Sequence, residues 1–185
     1  MRLFVAVPTS QSIRAEAGRL LERLRKTGAD FKWVDSGNLH WTLHFFGETE
    51  PAKLEEILTL TRAAAEGSKP FRLVMGGGGA FPSVQRPRVV WVGLREGEGE
   101  IKALAERLRG LLQKKGYPVE TRPFHPHLTL GRMRSTRRMD GIKPVVESIT
   151  AEESMMADSM AVIKSVLSPS GPRYEILESV RLGVG

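Results

Sequence analysis

Hydrophobic and polar positions alternate at two spacings along the first part of the chain, and these spacings predict strands and helices in turn. The run from Arg2 to Val7 is short and rich in strand-forming residues, and Pro8 ends it. A helix over residues 11–26 is predicted by apolar residues at helical spacing, namely Ile13, Ala17, Leu20, Leu21 and Leu24. The following segments are predicted as extended at Phe31–Val34 and Leu39–Phe46, helical near 51–66 and extended at Phe71–Met75. The predicted order is therefore β-α-β-β-α-β.

The same order of elements begins again near Arg88. The second set comprises a strand at Val89–Leu94, a helix over about 100–115, an extended stretch at His127–Met133, a helix within 136–148, a strand at Met160–Leu167 and an additional strand at Tyr174–Arg181. Matched positions such as Phe4 and Trp91, or His40 and His127, lie 87 residues apart. This offset predicts a single domain over 1–185 with duplicated halves at about 1–80 and 88–185. Coincidence between two common amphipathic patterns is the competing interpretation.

Four consecutive glycines, Gly76–Gly79, lie between the two predicted halves. A phosphate-binding loop ends in Gly-Lys-Ser or Gly-Lys-Thr, and this run does not, which argues against a site for nucleoside triphosphates. Glycine also adopts backbone conformations that other residues avoid, so a flexible turn or a strand bulge is the expected structure.

Composition narrows the available chemistry. The chain has no cysteine and four histidines, which excludes disulfides, thiolate metal sites and cysteine nucleophiles and leaves histidine, carboxylate and hydroxyl chemistry. No apolar run is long enough to span a membrane, and the apolar start is too short for a signal peptide, which predicts a cytoplasmic protein. The net charge of +7 favours a polyanionic partner such as nucleic acid.

All four histidines fall in two short windows that share the pattern His-x-Thr-Leu. Alternate side chains of a strand share a face, so His40 and Thr42 point one way while Trp41 and Leu43 point into the core. His127 and Thr129 follow the same rule. If the halves pack about a pseudo-twofold axis, two imidazoles and two hydroxyls meet across a cleft. One imidazole can act as a base and the other as an acid near neutral pH without a metal.

The remaining candidates each have a structural alternative. His44 is expected on the face of His40 in a supporting role, and His125 is expected to be exposed or to orient the cleft. Together the four histidines could instead hold zinc or copper, although no carboxylate ligand accompanies them. The basic stretch 132–138 is either an RNA contact or a solvated loop. Phe81 is either a core residue or a stacking platform for a base, and core positions are expected for Trp33, Trp41 and Trp91.

These motifs carry a resemblance to a known family. The two His-x-Thr-Leu copies, the segment Pro126–Arg132 and the tail from Ser165 to Glu175 resemble the two-histidine (2H) phosphoesterase superfamily, and within it the RNA 2′,3′-cyclic phosphodiesterases, also called 2′-5′ RNA ligases. The resemblance implies an α+β fold. Its two β-α-β-β-α-β-like halves would form a bilobal, pseudo-twofold arrangement with antiparallel sheets lining a central cleft.

The resemblance also implies an activity and roles for five residues. It implies metal-free hydrolysis of a terminal 2′,3′-cyclic phosphate of RNA to a 2′-phosphomonoester, without a cofactor, by a monomer. His40 would be the general acid and His127 the general base, while Thr42 and Thr129 would hold the non-bridging oxygens. Arg132 would bind the phosphate, which requires a bulge or twist at Gly131 because Arg132 lies five positions after His127.

Several points stay open at this stage. The RNA could be a tRNA half, another oligonucleotide or a small cyclic nucleotide, and reverse 2′-5′ ligation is a further activity of the family. The alternative function is a catalytically silent module that binds RNA ends on the same fold. The order of acid and base rests on the resemblance, since near-symmetric halves give no reason to prefer either order.

Overall fold

A computed structural model of the protein describes residues 1–150, 152–169 and 171–183 and contains nine strands and four α-helices in those ranges. In chain order these are β1 (Arg2–Pro8), α1 (Gln11–Arg25), β2 (Phe31–Trp33), β3 (His40–Glu48), α2 (Leu54–Glu66), β4 (Phe71–Ser83), β5 (Arg86–Glu96), α3 (Glu98–Lys114), β6 (Leu128–Met133), α4 (Ile142–Glu147), β7 (Glu153–Ala157), β8 (Ser159–Ser168) and β9 (Gly171–Arg181). The predicted helices and strands are therefore present, and β7 is an additional strand.

The strands form two antiparallel sheets. Sheet A has the order β3-β1-β8-β9, and sheet B has the order β2-β6-β5-β4-β7. Each sheet combines strands from both parts of the chain, because β8 pairs with β1 in sheet A and β4 pairs with β5 in sheet B. The expected α+β fold with antiparallel sheets is confirmed, and the two parts of the chain exchange strands within it.

Local sequence explains how the helices begin and which face they bury. The side chain of Ser10 accepts a hydrogen bond from the backbone N–H of Ile13 at 3.2 Å and so caps α1. Gly97, with φ of 82°, precedes α3 and takes a left-handed conformation that favours glycine. The predicted apolar stripe of α1 is fully buried in the main core.

The two faces of β1 show how the layers are arranged. Leu3, Val5 and Val7 belong to the main core, together with the apolar faces of the helices. Phe4 and Ala6 point to the other side of sheet A, where a small separate cluster forms with residues of β8 and with Tyr174. The helices therefore cover one face of the sheet and leave the other face for the cleft.

The glycine run lies within β4 and not in a connecting turn. Between Met75 and Gly78 the pairing of β4 with β5 shifts, and Gly77 has a φ of 75°, which marks a bulge. The prediction of a flexible turn is therefore wrong, and the alternative prediction of a strand bulge is confirmed. Trp91 crosses from β5 directly over Gly79, where an added Cβ would lie 2.2 Å from the indole ring.

Strand register corrects one predicted equivalence. Thr42 lies opposite Ala6 in sheet A, and Thr129 lies opposite Trp91 in sheet B. Ala6, rather than Phe4, thus occupies the place that corresponds to Trp91, and the offset between β1 and β5 is 85 positions. The predicted equivalence of Phe4 with Trp91 is wrong by two residues, because the connections after the two strands differ in length.

No helix in the described part of the chain is both long enough and apolar enough to cross a membrane.

Candidate active site

Two strands from different sheets carry the paired motifs to one place. His40 is the first residue of β3 and His127 immediately precedes β6, and these two strands approach each other although they belong to different sheets. A cavity of about 500 Å³, here called the histidine cavity, is lined by His40, Thr42, Thr129 and Arg132 among others. His127 lies beside it, close enough for its charge to lower the pKa of His40.

The two imidazoles are held by the same hydrogen bond. Nδ1 of His40 lies 2.8 Å from the carbonyl oxygen of Asn38, and Nδ1 of His127 lies 2.7 Å from that of His125. A carbonyl oxygen can only accept, so Nδ1 carries the proton in both rings. In the neutral form each Nε2 therefore has a free lone pair, which is the state that a base requires.

Aromatic side chains fix the orientation of both rings. The imidazole of His40 stacks on Phe4 with ring centres 4.6 Å apart and meets the edge of Tyr174 at 5.2 Å. The imidazole of His127 meets Phe81 edge to face at 5.1 Å and lies 6.1 Å from Trp91. Both histidines are thus half-buried and oriented by their neighbours.

Burial lowers the pKa of both histidines below the ordinary value of 6.5. For His40 the backbone hydrogen bond opposes this effect and the positive charge of His127 adds to it. For His127 the backbone hydrogen bond again opposes burial, and the charges of His125 and Arg132 lower its pKa further. Each ring therefore gives up its proton more readily than an exposed histidine does.

A bulge in β6 brings Arg132 onto the face of Thr129. Two adjacent residues of β5 lie opposite Thr129 and Gly131, so Leu130 between them has no partner. An extra residue of this kind reverses the alternation of side chains beyond it. Arg132 consequently lines the histidine cavity with Thr129. The bulge that the predicted role of Arg132 requires is present, but it lies at Leu130 and not at Gly131.

His44 does not share the face of His40, and this prediction is wrong. Two adjacent residues of β1 lie opposite Thr42 and His44, so Leu43 forms a bulge that turns the rest of β3 over. The ring of His44 packs against Phe46 at 4.5 Å and lines a separate cavity. Its Nε2 is buried without a hydrogen-bond partner in the described structure, and burial lowers its pKa.

The tryptophans divide between the core and the cleft. Trp41 is fully buried as predicted. Trp33 is half-buried and packs against the main core, whereas Trp91 is half-buried beside the cleft, so the predicted core position is wrong for Trp91. Trp91 contacts the exposed ring of His125 at 4.8 Å and Phe81 at 5.1 Å, so this aromatic group forms the wall beside His127.

Sequence analysis missed several residues that line the histidine cavity. Tyr174 belongs to the tail motif, but it was not predicted as a site residue. Lys32 and Arg2 add positive charge beside Arg132, and the cavity lining contains no carboxylate in the part of the chain that the structure describes. The clustering of cations depends on the packing of β1, β2 and β6, which no local pattern reveals. This cavity suits an anion.

The basic stretch 132–138 is only partly available for a ligand. Arg132 lines the cavity, whereas Arg137 pairs with Asp30 at 3.3 Å, and Ser135 donates a hydrogen bond to the same carboxylate. A metal site receives no support from the geometry either. Residues 1–150, 152–169 and 171–183 contain no group of three or more side chains suited to ligate a metal ion.

Known proteins resemble the chain over nearly its whole length. A protein of Methanothermobacter thermautotrophicus named RNA 2′,3′-cyclic phosphodiesterase is 33% identical over 184 residues, which cover 98% of this chain and 99% of that protein. The crystal structure of TT0787 of Thermus thermophilus superposes with a TM-score of 0.86 at 32% identity, covering 99% and 98% of the two chains. Escherichia coli LigT, complexed with NADP+, gives a TM-score of 0.79 at 27% identity over 98% and 96%.

A family model agrees with these pairwise comparisons. The model of the 2′-5′ RNA ligase superfamily matches residues 10–167, a range that contains both His-x-Thr-Leu copies. The fold, the paired motifs and the matched range agree with one another, and the chain belongs to the 2′-5′ RNA ligase superfamily.

Proposed function

We propose that the protein hydrolyses the terminal 2′,3′-cyclic phosphate of RNA to a 2′-phosphomonoester by paired histidine acid–base catalysis. The names of relatives at about one-third identity support the reaction. The observation that carries the proposal is the pair of imidazoles with identical Nδ1 contacts beside a cavity lined by cations and free of carboxylates among the described residues.

His127 is the general base and His40 the general acid in this proposal. His127 removes a proton from water through Nε2, and the water oxygen attacks the phosphorus. His40 delivers a proton to the departing 3′ oxygen, so the phosphate remains on the 2′ oxygen. A lowered pKa suits both roles, because it leaves the base neutral and makes the acid a better proton donor.

Thr42, Thr129 and Arg132 bind the phosphoryl group. Neither threonine hydroxyl has a hydrogen-bond partner among the described residues, and both line the histidine cavity, so both are free to donate to non-bridging oxygens. Arg132 supplies a permanent positive charge and two parallel donors. All of these groups come from one chain, which supports activity as a monomer.

Replacement of either histidine by alanine tests the chemistry. We expect His40→Ala and His127→Ala each to lower the rate on a cyclic-phosphate oligonucleotide by roughly two to four orders of magnitude, the usual contribution of a general acid or base. The rate is measured by separation of substrate and product, and the product is analysed for a 2′-phosphate. His44→Asn is the matched control, since His44 lies on the same strand but faces away from the cleft.

Other outcomes would favour other functions. Substantial turnover in either alanine variant would contradict acid–base catalysis by this pair. Tight binding of the oligonucleotide without turnover by the unaltered protein would favour a silent RNA-end binding module. Loss of activity on treatment with a chelator would favour a metal-dependent enzyme, whereas we expect full activity. Incubation of the cyclic-phosphate RNA with a second RNA that bears a free 5′-hydroxyl tests for 2′-5′ ligation, in which this hydroxyl attacks the phosphorus in place of water and the 3′ oxygen leaves.

A further inference from the structure

A second cavity adjoins the histidine cavity and has an unbalanced charge. This neighbouring cavity, of about 580 Å³, is lined by four cationic side chains, those of Arg25, Lys32, Arg132 and Arg173. Its lining includes a single carboxylate, Asp35, which already accepts a hydrogen bond from the backbone of Gly37 at 2.8 Å. None of the four cations forms an ion pair in the described parts of the chain, which is unusual for a protein with many exposed ion pairs elsewhere.

Two of these cations are placed directly against each other. Lys32 of β2 is the cross-strand partner of Arg132 of β6, and both side chains are exposed. Like charges directly opposite on a sheet are destabilising. A bound anion relieves this repulsion, and so the arrangement is best explained by a ligand that carries negative charge.

The two cavities are adjacent and share part of their lining. Both are lined by Lys32, Asn38, Arg132 and Tyr174, so an extended ligand can occupy both at once. The amide of Asn38 donates to the carbonyl oxygen of Pro172 at 3.1 Å and joins the walls contributed by the two ends of the chain. This hydrogen bond holds together two segments that line both cavities.

Stacking is not the basis of recognition in the neighbouring cavity. Two aromatic residues line it. The ring of Trp33 stacks on Phe31 at 4.8 Å and lies so close to Gly131 that an added Cβ there would be 2.4 Å from it, and the ring of Tyr174 meets Phe4 at 5.1 Å and His40 at 5.2 Å. Both rings are thus already packed against other side chains. The cavity therefore recognises the charge of its ligand, and we expect no preference for a particular nucleobase at this position.

We propose that the neighbouring cavity binds the phosphodiester that joins the terminal nucleotide of the RNA to the one before it. This inference rests on the proposed function. When the cyclic phosphate occupies the histidine cavity, the 3′ end is closed and the strand can leave only in the 5′ direction. The first anionic group on that path is this phosphodiester, and Arg25, Lys32 and Arg173 meet it beside Arg132. The preferred substrate is an RNA strand rather than a cyclic mononucleotide.

Substrate length tests the proposal directly. The substrates are adenosine 2′,3′-cyclic phosphate and a dinucleotide and a tetranucleotide of adenosine that end in the same group. We expect kcat/KM to rise about ten- to a hundred-fold from the mononucleotide to the dinucleotide, as for charge-assisted hydrogen bonds. The further rise to the tetranucleotide should be small, because the cavity accounts for a single phosphodiester.

The double variant Arg25→Gln/Arg173→Gln should remove this gain. Its kcat/KM should approach the mononucleotide value on all three substrates. For the dinucleotide, the slope of log kcat/KM against log salt concentration should become less steep by about 0.7 for each lost contact. Lys114→Gln/Lys115→Gln is the control, since it removes the same net charge from the exposed end of α3, outside both cavities. Equal losses in the two double variants, or an unchanged gain with length, would overturn the proposal.

A binding measurement separates this proposal from the proposed function. The affinity of adenosine 2′-phosphate and of the dinucleotide ending in 2′-phosphate is measured for the unaltered protein and both double variants. A length-dependent affinity that Arg25→Gln/Arg173→Gln abolishes supports the phosphodiester site even if no substrate is hydrolysed, in which case only the proposed function fails. Hydrolysis of all three substrates without any such difference in affinity refutes the phosphodiester site alone.

Discussion

Each imidazole beside the histidine cavity donates a hydrogen bond through Nδ1 to the backbone two residues earlier, and the acceptor is a neutral carbonyl oxygen. A carboxylate in that place would stabilise the imidazolium, whereas a carbonyl does so more weakly. Burial and nearby positive charge consequently dominate, and the pKa of both rings is lowered. The contact fixes the tautomer of each neutral ring, but it does not hold the ring in the protonated form.

The lowered pKa values predict an acidic optimum for kcat/KM. In the proposed mechanism the general base must be neutral, so activity should fall as pH drops through the pKa of His127. The general acid must be protonated, so activity falls as pH rises through the pKa of His40. Because both pKa values lie below 6.5, the bell-shaped profile should reach its maximum below pH 6.5. The profile is measured with adenosine 2′,3′-cyclic phosphate, and a maximum above pH 7 would contradict the prediction.

Sequence reasoning was most successful where a signal was duplicated. The two copies of His-x-Thr-Leu predict His40 and His127 as site residues, and the structure places both beside one cavity. Lys32 and Tyr174 have no counterpart in a second copy, and a lysine or a tyrosine is ordinary at a protein surface. Their part in the cavity depends on contacts between distant strands, which the sequence does not display.

The strands β3 and β6 contain bulges at matching places, Leu43 and Leu130, which lie 87 positions apart. Simple alternation agrees with the shared cavity lining of His40, Thr42 and Thr129, because these residues precede the bulges. It failed for His44, beyond the bulge. Both bulged residues are buried leucines, so their side chains follow the apolar pattern of a regular strand and give no local sign of an extra residue.

The close approach of β6 to Trp33 predicts a specific sensitivity at Gly131. An added Cβ there would lie 2.4 Å from the indole ring. Gly131→Ala should therefore lower the free energy of unfolding by about 1–3 kcal/mol through overpacking, as measured by denaturant titration.

Gly110→Ala serves as the control for this substitution. Gly110 lies within α3, and an added Cβ meets no atom within 4 Å. Alanine should stabilise the helix at that position by about 0.5–1 kcal/mol. Similar changes in stability for both variants would show that the contact with Trp33 is unimportant.

The exchange of strands between the two parts of the chain makes the sheets interdependent. Sheet A requires β8 between β1 and β9, and sheet B requires β4 between β5 and β7. Periodicity predicted these strands individually, but it contains no information about which strands pair. The exchange therefore could not be predicted from the pattern of apolar residues.

Fragments provide a test of this interdependence. Residues 1–84 lack β8, and residues 85–185 lack β4, so each fragment leaves sheet edges and core faces without a partner. We expect neither fragment alone to give a cooperative unfolding transition by circular dichroism, and we expect an equimolar mixture to recover one. Cooperative unfolding of residues 1–84 alone would instead indicate that this half is an independent unit.

The interlocked sheets also determine how a bound ligand acts on stability. His40 begins β3 and His127 immediately precedes β6, and each of these strands belongs to a sheet that needs a strand from the other part of the chain. Neither ring can therefore lose its environment through a local opening of one sheet. A ligand in the cleft stabilises only the state in which both sheets are intact. Occupancy of the site should consequently protect slowly exchanging amides throughout both sheets to the same extent, rather than those of the cleft alone.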